Sequence, residues 1–356
     1  MTKIYVLLLS CSLLSVKLFA AKDIEWKLGL DWKSTLTPLS SPSYKIAEMV
    51  KHMSNGKFII KIDGAEKHQS SDNLLEMVQD NTYNIIHTNS KQWKDKEINT
   101  IWFSGIPLGM TRKEQYSWFY YGDGQKYMSA VYNKFNLLAF PGGDLGTQMG
   151  GWFKKEIHNS ADFKGLNVNT QGITNEILSM YDVNHKNIPS SKINEAFLNN
   201  QLDIISGTSP SMDIKMGFHK VAPYYYTSWN KPASQTQFLI NKSAYKKLPF
   251  QYQTILKTAI KTASHELYYE NFYESLKAWE KIQTDFPNIK IKTLPKNVLE
   301  DLKRSKELIF QQYSKENKLF QEIYNNQKEF ISKARKWSQL EEYSYLKSLN
   351  ELNKKQ

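Results

Sequence analysis

Cysteine is almost absent from this chain: of 356 residues only Cys11 is one, and it lies in an apolar amino-terminal run. A disulfide scaffold, a cysteine-ligated zinc site and a thiol nucleophile are excluded downstream of it, so stability must come from a packed core. Long apolar runs are scarce too. Apart from Ile4 to Leu14, no stretch approaches the roughly 18 apolar residues that a membrane-spanning helix requires. Blocks of five or more like charges are missing, so the net charge of +12 lacks the signature of a nucleic-acid-binding chain. The seven histidines show no metal-ligand spacing such as HExxH, and there is no GxSxG elbow, Walker loop or GxGxxG opening a helix. The adjacent Glu341-Glu342 reads as a solvated helix face. Neither an enzyme nor a bound cofactor or metal is indicated.

What remains has ordinary globular composition, 40% hydrophobic and 13% aromatic, and is long enough for a sizeable core in one or two domains. The amino terminus has the layout of an export signal: Lys3, the apolar run, then small residues at Ala20 and Ala21. This predicts residues 1–20 as a cleaved signal peptide and a soluble, exported product starting near Ala21 or Lys22. Leu8-Leu9-Ser10-Cys11 resembles a lipobox and offers a lipoprotein as the alternative. Loss of Lys3 and Lys17 lowers the net charge from +12 to +10. Two readings of that charge stay open: lysines spread over solvated faces, or attraction of anionic solutes or lipid headgroups.

Apolar periodicity alternates between helix and strand. Ile46, Val50 and Met53 share a helical face that Asn55-Gly56 should end, and Phe58, Ile60 and Ile62 alternate as a strand. Leu74, Leu75 and Val78 predict a second helix and Tyr83 to Thr88 a second strand. Thr111-Arg112-Lys113-Glu114 is a capping box opening a third helix through Trp118. The series resumes with a strand over Leu166 to Asn169, helices near Glu176 to Tyr181 and Ile193 to Leu198, and a strand over Leu202 to Ile205. Two such series predict an α/β fold of two lobes, each with a mostly parallel sheet. Tyr83 to Thr88 and Leu202 to Gly207 echo each other, an isoleucine pair before polar or small residues. Ligands collect beyond the carboxyl ends of strands in such sheets. His87 to Lys91 and Ser206 to Pro210 are therefore candidate opposing walls of one cleft, with ordinary strand ends entering loops as the other reading. From about Tyr252 the chain predicts long helices and one short strand, Ile289 to Ile291. Leu302, Ile309, Ile323, Phe330 and Trp337 recur at multiples of seven, with Tyr313, Phe320 and Ala334 between them. Such a stripe suits either the core or a partner subunit.

Residues 141–153 concentrate five glycines around Gln148, ahead of Trp152-Phe153, which look exposed. Glycine admits close backbone approach to a ligand, and an amide between aromatic faces suits a small polar solute; a glycine-rich turn before a core tryptophan is the plainer reading. Gln148 to Phe153 with Lys155-Glu156-Ile157 reads QMGGWF-x-KEI. Around it stand Phe103 to Met110 (FSGIPLGM), Tyr120 to Gln125 (YYGDGQ), Phe163-Lys164-Gly165-Leu166, Gly217 to Ala222, Tyr224-Tyr225-Tyr226, and Asn241-Lys242 before Leu248-Pro249. In this order and spacing the chain resembles the solute-binding proteins of tripartite ATP-independent periplasmic (TRAP) transporters, in the branch similar to 2-oxo-acid binders. The resemblance implies a two-lobed periplasmic binding-protein fold with a cleft between the lobes. Lobe I would comprise 21–141 and 236–275, lobe II 142–235 and 276–315, and a helical extension over 316–356 could pair subunits into a homodimer. It further implies capture of a small polar solute, a carboxylate among the candidates, and delivery to the small and large membrane subunits of a periplasm-facing permease. A sensor or co-receptor of the same fold is the alternative.

The site residues that follow from the resemblance are Gln148, Trp152, Asn169, Ser206, Gly207, Trp229, Lys91 and Trp32. Several depart from the branch. Asn169 stands where an arginine clamps the carboxylate, and Ser206-Gly207-Thr208-Ser209-Pro210 replaces E-W-V-G-P, removing an acidic metal ligand and an aromatic wall. Ser228-Trp229-Asn230-Lys231-Pro232 replaces G-W-H-E-P, and Lys91-Gln92 replaces an aromatic pair. A hard cation prefers anionic oxygen ligands, so the resemblance, with these losses, implies a roomier, more polar site without a metal. Lys91 is the candidate charge partner for an anionic solute in place of the arginine; a solvated rim residue is the other reading.

Overall fold

A computed structural model describes residues 23–68, 73–170, 172–188 and 192–353. The expected signal peptide over 1–20 and Cys11 lie outside the described residues.

The first sheet opens with β1 (Ile24–Leu30), whose Trp26, Leu28 and Leu30 turn inward. The helix Ser41–Met53 follows, buries Ile46 and Val50, and ends where Asn55 and Gly56 both take positive φ, as the Asn-Gly pair predicts. β2 (Phe58–Asp63) and β3 (Ile85–Thr88) then pair in parallel on either side of β1. β4 (Leu137–Asp144) is the far edge. The chain crosses to a second sheet at β5 (Gly151–Phe153) and builds it with β6 (Asn167–Val168), β7 (Asn184–His185), β8 (Ile204–Ile205) and β9 (Tyr224–Tyr226). It returns to the first sheet as β10 (Gln235–Asn241), and β11 (Lys290–Lys292) later completes the second. The strand orders are β2-β1-β3-β10-β4 and β11-β9-β5-β8-β6-β7. Each sheet is mixed. The antiparallel members are β10 and β5, the two strands entered directly from a crossing between lobes, because the chain arrives there from the opposite end of the sheet.

The two crossings lie against each other. Gln148 N donates to Lys231 O at 3.0 Å, Gly150 N to Tyr226 O at 2.8 Å and Leu145 N to Ser234 O at 3.4 Å. This explains the glycine-rich stretch: a Cβ on Gly150 would lie 2.4 Å from Thr227 O, and Gly151 takes φ 136°. The expected capping box forms, with Thr111 N donating to Glu114 Oε2 at 2.8 Å and Glu114 N to the Thr111 hydroxyl.

The helix Phe250–Asp285 is continuous through residue 275 and serves both lobes. Leu256, Ala259 and Ile260 pack in the first-sheet core, while Ile282 joins Trp152 and Tyr225 beneath the second. The helix Lys296–Glu316 also touches both lobes, and Lys318–Leu340 packs on the first. Tyr181 OH lies 2.8 Å from Ser305 Oγ on the first of them, and Trp118 Nε1 donates to Asn326 on the second at 2.7 Å. The seven-residue stripe therefore divides. Leu302, Phe320 and Ile323 are buried and Ile309, Tyr313 and Phe330 pack against the same core, whereas Trp337 is 62% exposed. The stripe is not one helix: Asn317 takes extended backbone and its side chain caps the next helix by accepting from Phe320 N at 2.9 Å.

His87 on β3 is fully buried, with Nδ1 3.0 Å from Ser43 Oγ, Nε2 2.8 Å from Thr236 Oγ1 and its ring stacked on Phe238 at 4.1 Å. Burial pushes its pKa from 6.5 down to about 3. Between those values the unfolded chain binds the extra proton, so stability is full above pH 6.5 and falls as pH drops through the window. The expected slope from this group is about 1.4 kcal/mol per pH unit. Urea midpoints measured stepwise across that range should show a shallower slope in His87→Gln; an equal slope would place the acid sensitivity elsewhere.

Candidate ligand-binding site

The carboxyl ends of β1, β3, β6 and β8 converge on one cleft, as the strand echo predicts. Asp31 and Trp32 follow β1, Lys91 and Gln92 sit on the 3-10 turn Ser90–Trp93 after β3, Asn169 follows β6, and Ser206 to Thr208 follow β8. Asn89 shapes the turn by accepting from Lys91 N at 3.1 Å. Two cavities of about 230 Å³ each occupy the cleft and share Lys91, Ser104, Gly105, Thr208 and Lys231 in their walls. Asn169, Thr170 and Ser206 line the first; Asp31, Trp32, Gln92 and Gln148 line the second.

The sequence-predicted residues divide accordingly. Lys91, Trp32, Gln148, Asn169 and Ser206 face the cavities. Gln148 Oε1 and Trp32 Nε1 are buried with no hydrogen-bond partner among the described residues. Asn169 turns its amide nitrogen away, donating to Lys186 O at 2.8 Å and Ile188 O at 3.1 Å. Gly207 contributes a carbonyl oxygen, which accepts from Lys231 Nζ at 3.4 Å. Gly207, Trp152 and Trp229 line neither cavity. Trp152 and Phe153, which look exposed in the sequence, are fully buried because β5 is an interior strand between β8 and β9. Trp152 stacks on Tyr225 at 4.0 Å and donates through Nε1 to Asp213 at 3.2 Å. Trp229 is buried behind the second crossing, beside Leu108 and Lys303.

Three charged residues escape the sequence reading. Lys231 lies where both cavities meet, and its signal was available as the lysine in S-W-N-K-P against the acid of G-W-H-E-P. Burial, then the like charge of Lys91, pushes its ammonium down to about 7 against the opposing pull of Asp213. Burial also lowers Lys91, with Asp31 opposing. Neither lysine has an ion-pair partner among the described residues. The Asp31 carboxyl is raised by burial while Gln92 and Thr88 hydrogen-bond it; Thr88 Oγ1 donates to Oδ2 at 3.0 Å. Asp213, at the back of the cleft, is likewise raised by burial. It accepts from Thr208 N at 2.9 Å, Thr208 Oγ1 at 2.5 Å, Tyr225 OH at 2.8 Å and Trp152 Nε1. No local pattern marks Asp31 or Asp213; tertiary contacts alone reveal them.

Two sheets facing one polar, lysine-bearing cleft across paired crossings define a two-lobed solute-binding protein. The chain matches the model of bacterial extracellular solute-binding protein family 7 (DctP) over residues 32–317, and it belongs to that family. A TRAP periplasmic solute-binding protein from Pseudoalteromonas atlantica, solved with bound sodium and pyruvate, is 37% identical with a TM-score of 0.88, covering 92% of this chain and 99% of its own. Its counterpart from Colwellia psychrerythraea, with bound calcium and pyruvate, is 36% identical with a TM-score of 0.89, covering 92% and 100%. A monocarboxylate 2-oxoacid-binding periplasmic protein of Nostoc sp. is 29% identical over 324 residues, 91% of this chain and 88% of the relative. The chain is a solute-binding protein of the TRAP type. No helix among the described residues is long and apolar enough to cross a membrane.

Asp213 ties the Thr208 loop to the buried Trp152-Tyr225 stack. Asp213→Ala strands the buried Tyr225 hydroxyl and Trp152 indole donors, at about 1–3 kcal/mol each. The variant should lose at least about 2 kcal/mol in urea unfolding. A loss below about 1 kcal/mol would show that the surrounding donors find other partners.

Proposed function

We propose that this protein captures a small 2-oxo monocarboxylate of the pyruvate class between its lobes and delivers it to the small and large membrane subunits of a TRAP permease. The observation that carries this reading is the meeting of Lys91 and Lys231, both without an ion-pair partner among the described residues, where the two cavities join. Buried ammonium groups draw an anion because a carboxylate returns the solvation that burial removed. Gln148 and Trp32 supply an amide oxygen and an indole donor on the same wall. Two adjoining cavities of about 230 Å³ each leave room for a small organic acid. The signal-like segment 1–20 supports a periplasmic receptor, and closure of the lobes at the paired crossings would be a hinge motion.

Thermal-shift and calorimetric titration with pyruvate, 2-oxobutyrate and larger 2-oxo-acids tests the assignment, with pyruvamide as neutral control. Saturation at about a hundredfold excess over Kd should stabilise the native state by about 2.7 kcal/mol. Lys91→Ala should weaken carboxylate binding by well over about tenfold and Gln148→Ala by less. Equal affinity for pyruvate and pyruvamide would overturn the role given to the charge, and an unaffected Lys91→Ala the share given to Lys91.

The carboxyl-terminal face gives a second expectation. Trp337, Leu340 and Leu352 are 62%, 76% and 67% exposed, more apolar surface than a short helix leaves in water without a partner. A homodimer through this tail follows, since the earlier part of the stripe is occupied by the core. Light scattering should give a dimer for the full chain and a monomer for a chain ending at Lys336. A full-length monomer would sink the pairing.

A further inference from the structure

The solved pyruvate-bound relatives hold sodium in one case and calcium in the other. The cleft of this chain does not suit such an ion. A hard cation requires about six oxygen ligands, with at least one carboxylate among them in most sites. Ser206 is uncharged, and Asp213 spends its oxygens on Thr208, Tyr225 and Trp152. Asp31, the one carboxylate in the cavity walls among the described residues, is protonated more readily than usual; its Oδ2 accepts from Thr88, and its Oδ1, buried without a partner, is a single anionic oxygen where a hard cation needs several ligands. Among the described residues no group of three or more histidine, cysteine, aspartate or glutamate side chains could hold a metal. Two ammonium groups line the same space, and each repels an incoming cation.

We propose that the Lys231 ammonium is a built-in cation, held beside the Gly207 carbonyl, that neutralises the solute carboxylate so that capture requires neither sodium nor a divalent ion. This rests on the carboxylate reading above and concerns which group supplies the charge. The second crossing positions Lys231: its own carbonyl accepts from Gln148 N at 3.0 Å, and its Nζ reaches Gly207 O at 3.4 Å. An ammonium has three donors, and this contact uses one. The others are available to a solute carboxylate and to the buried, unpartnered Gln148 Oε1 that lines the same cavity. Lysine suits the place because a compact ammonium on a flexible stem behaves as a tethered point charge.

A tethered ammonium differs from a metal ion in one measurable respect: it titrates. The charged groups around it are Lys91 from the turn after β3, Asp31 from the end of β1 and Asp213 from the helix Pro210–Met216. In the free protein Lys231 is held down to about 7, and a bound carboxylate raises it. Solute binding therefore takes up a proton near neutral pH, and affinity falls as pH rises above that of the free ammonium.

Calorimetry with choline pyruvate tests this on the intact protein. In metal-free buffer with chelator, Kd should match that measured with sodium or calcium at equal ionic strength. Above neutrality affinity should drop by up to about tenfold per pH unit, with proton uptake visible as a dependence of the binding heat on buffer ionisation. Lys231→Gln should bind pyruvate at least about tenfold more weakly and lose the pH dependence. Binding that appears only with sodium or calcium overturns the built-in cation and leaves the carboxylate function intact. Absence of binding to every 2-oxo-acid, with or without metal, overturns the function reading and takes this inference with it.

Discussion

The pairing of the two crossings is the constraint on which the rest of the molecule depends. Residues 145–150 and 227–234 run side by side with backbone hydrogen bonds between them. That contact is possible because glycines let one backbone lie directly on the other. It fixes which strands enter each sheet from the far end, and so makes β5 and β10 the antiparallel members. It also places Gln148 and Lys231 at the junction of the lobes, where neither belongs to one lobe alone. A ligand site at that position is read by both halves of the fold, and that is what a receptor needs if occupancy is to change its shape.

The electrostatics of the cleft follow from the same placement. Two half-buried lysines are brought together in the cleft; of the nearby carboxylates Asp213 is fully engaged behind the site and Asp31 is hydrogen-bonded through one oxygen only. Burying like charges is costly, and proteins keep such an arrangement where a ligand relieves it. Asp213 shows how the walls are kept rigid at the same time. Its bonds join the loop after β8 to an aromatic stack on β5 and β9, so the cavity wall at Thr208 inherits the stiffness of the sheet behind it.

The helical carboxyl-terminal third holds the lobes in register from outside. Phe250–Asp285 contributes to the cores of both lobes, Lys296–Glu316 touches both, and Lys318–Leu340 packs on the first. Trp102, Phe310, Phe320 and Tyr324 form an aromatic cluster that locks the last helices to the first lobe, with ring centroids 4.6–5.9 Å apart. Beyond Phe330 the apolar stripe ends in the exposed Trp337, while Arg335 on Glu114 and Gly109 O, and Lys113 on Glu341, hold this segment to the first lobe by polar contacts.

By itself the sequence determined the local elements: the Asn55-Gly56 stop, the Thr111 capping box, the alternating strands and the two α/β series, because each rests on contacts within a few residues. The order of its motifs also determined the family. For the site, it identified the strand ends and named Lys91, Gln148 and Ser206, since ligands gather where parallel strands stop. Only the tertiary structure decided that Trp152 and Phe153 are interior, because an exposed edge and a central strand read alike until neighbours are assigned. Only it divided the seven-residue stripe between core and surface, since a period reports a face and not what covers it. Asp31 and Asp213 became visible at the same stage, and Lys231, present in the sequence as the lysine of S-W-N-K-P, acquired its place beside Lys91 there. A charge acquires its role from groups distant in sequence, and folding alone brings those within reach.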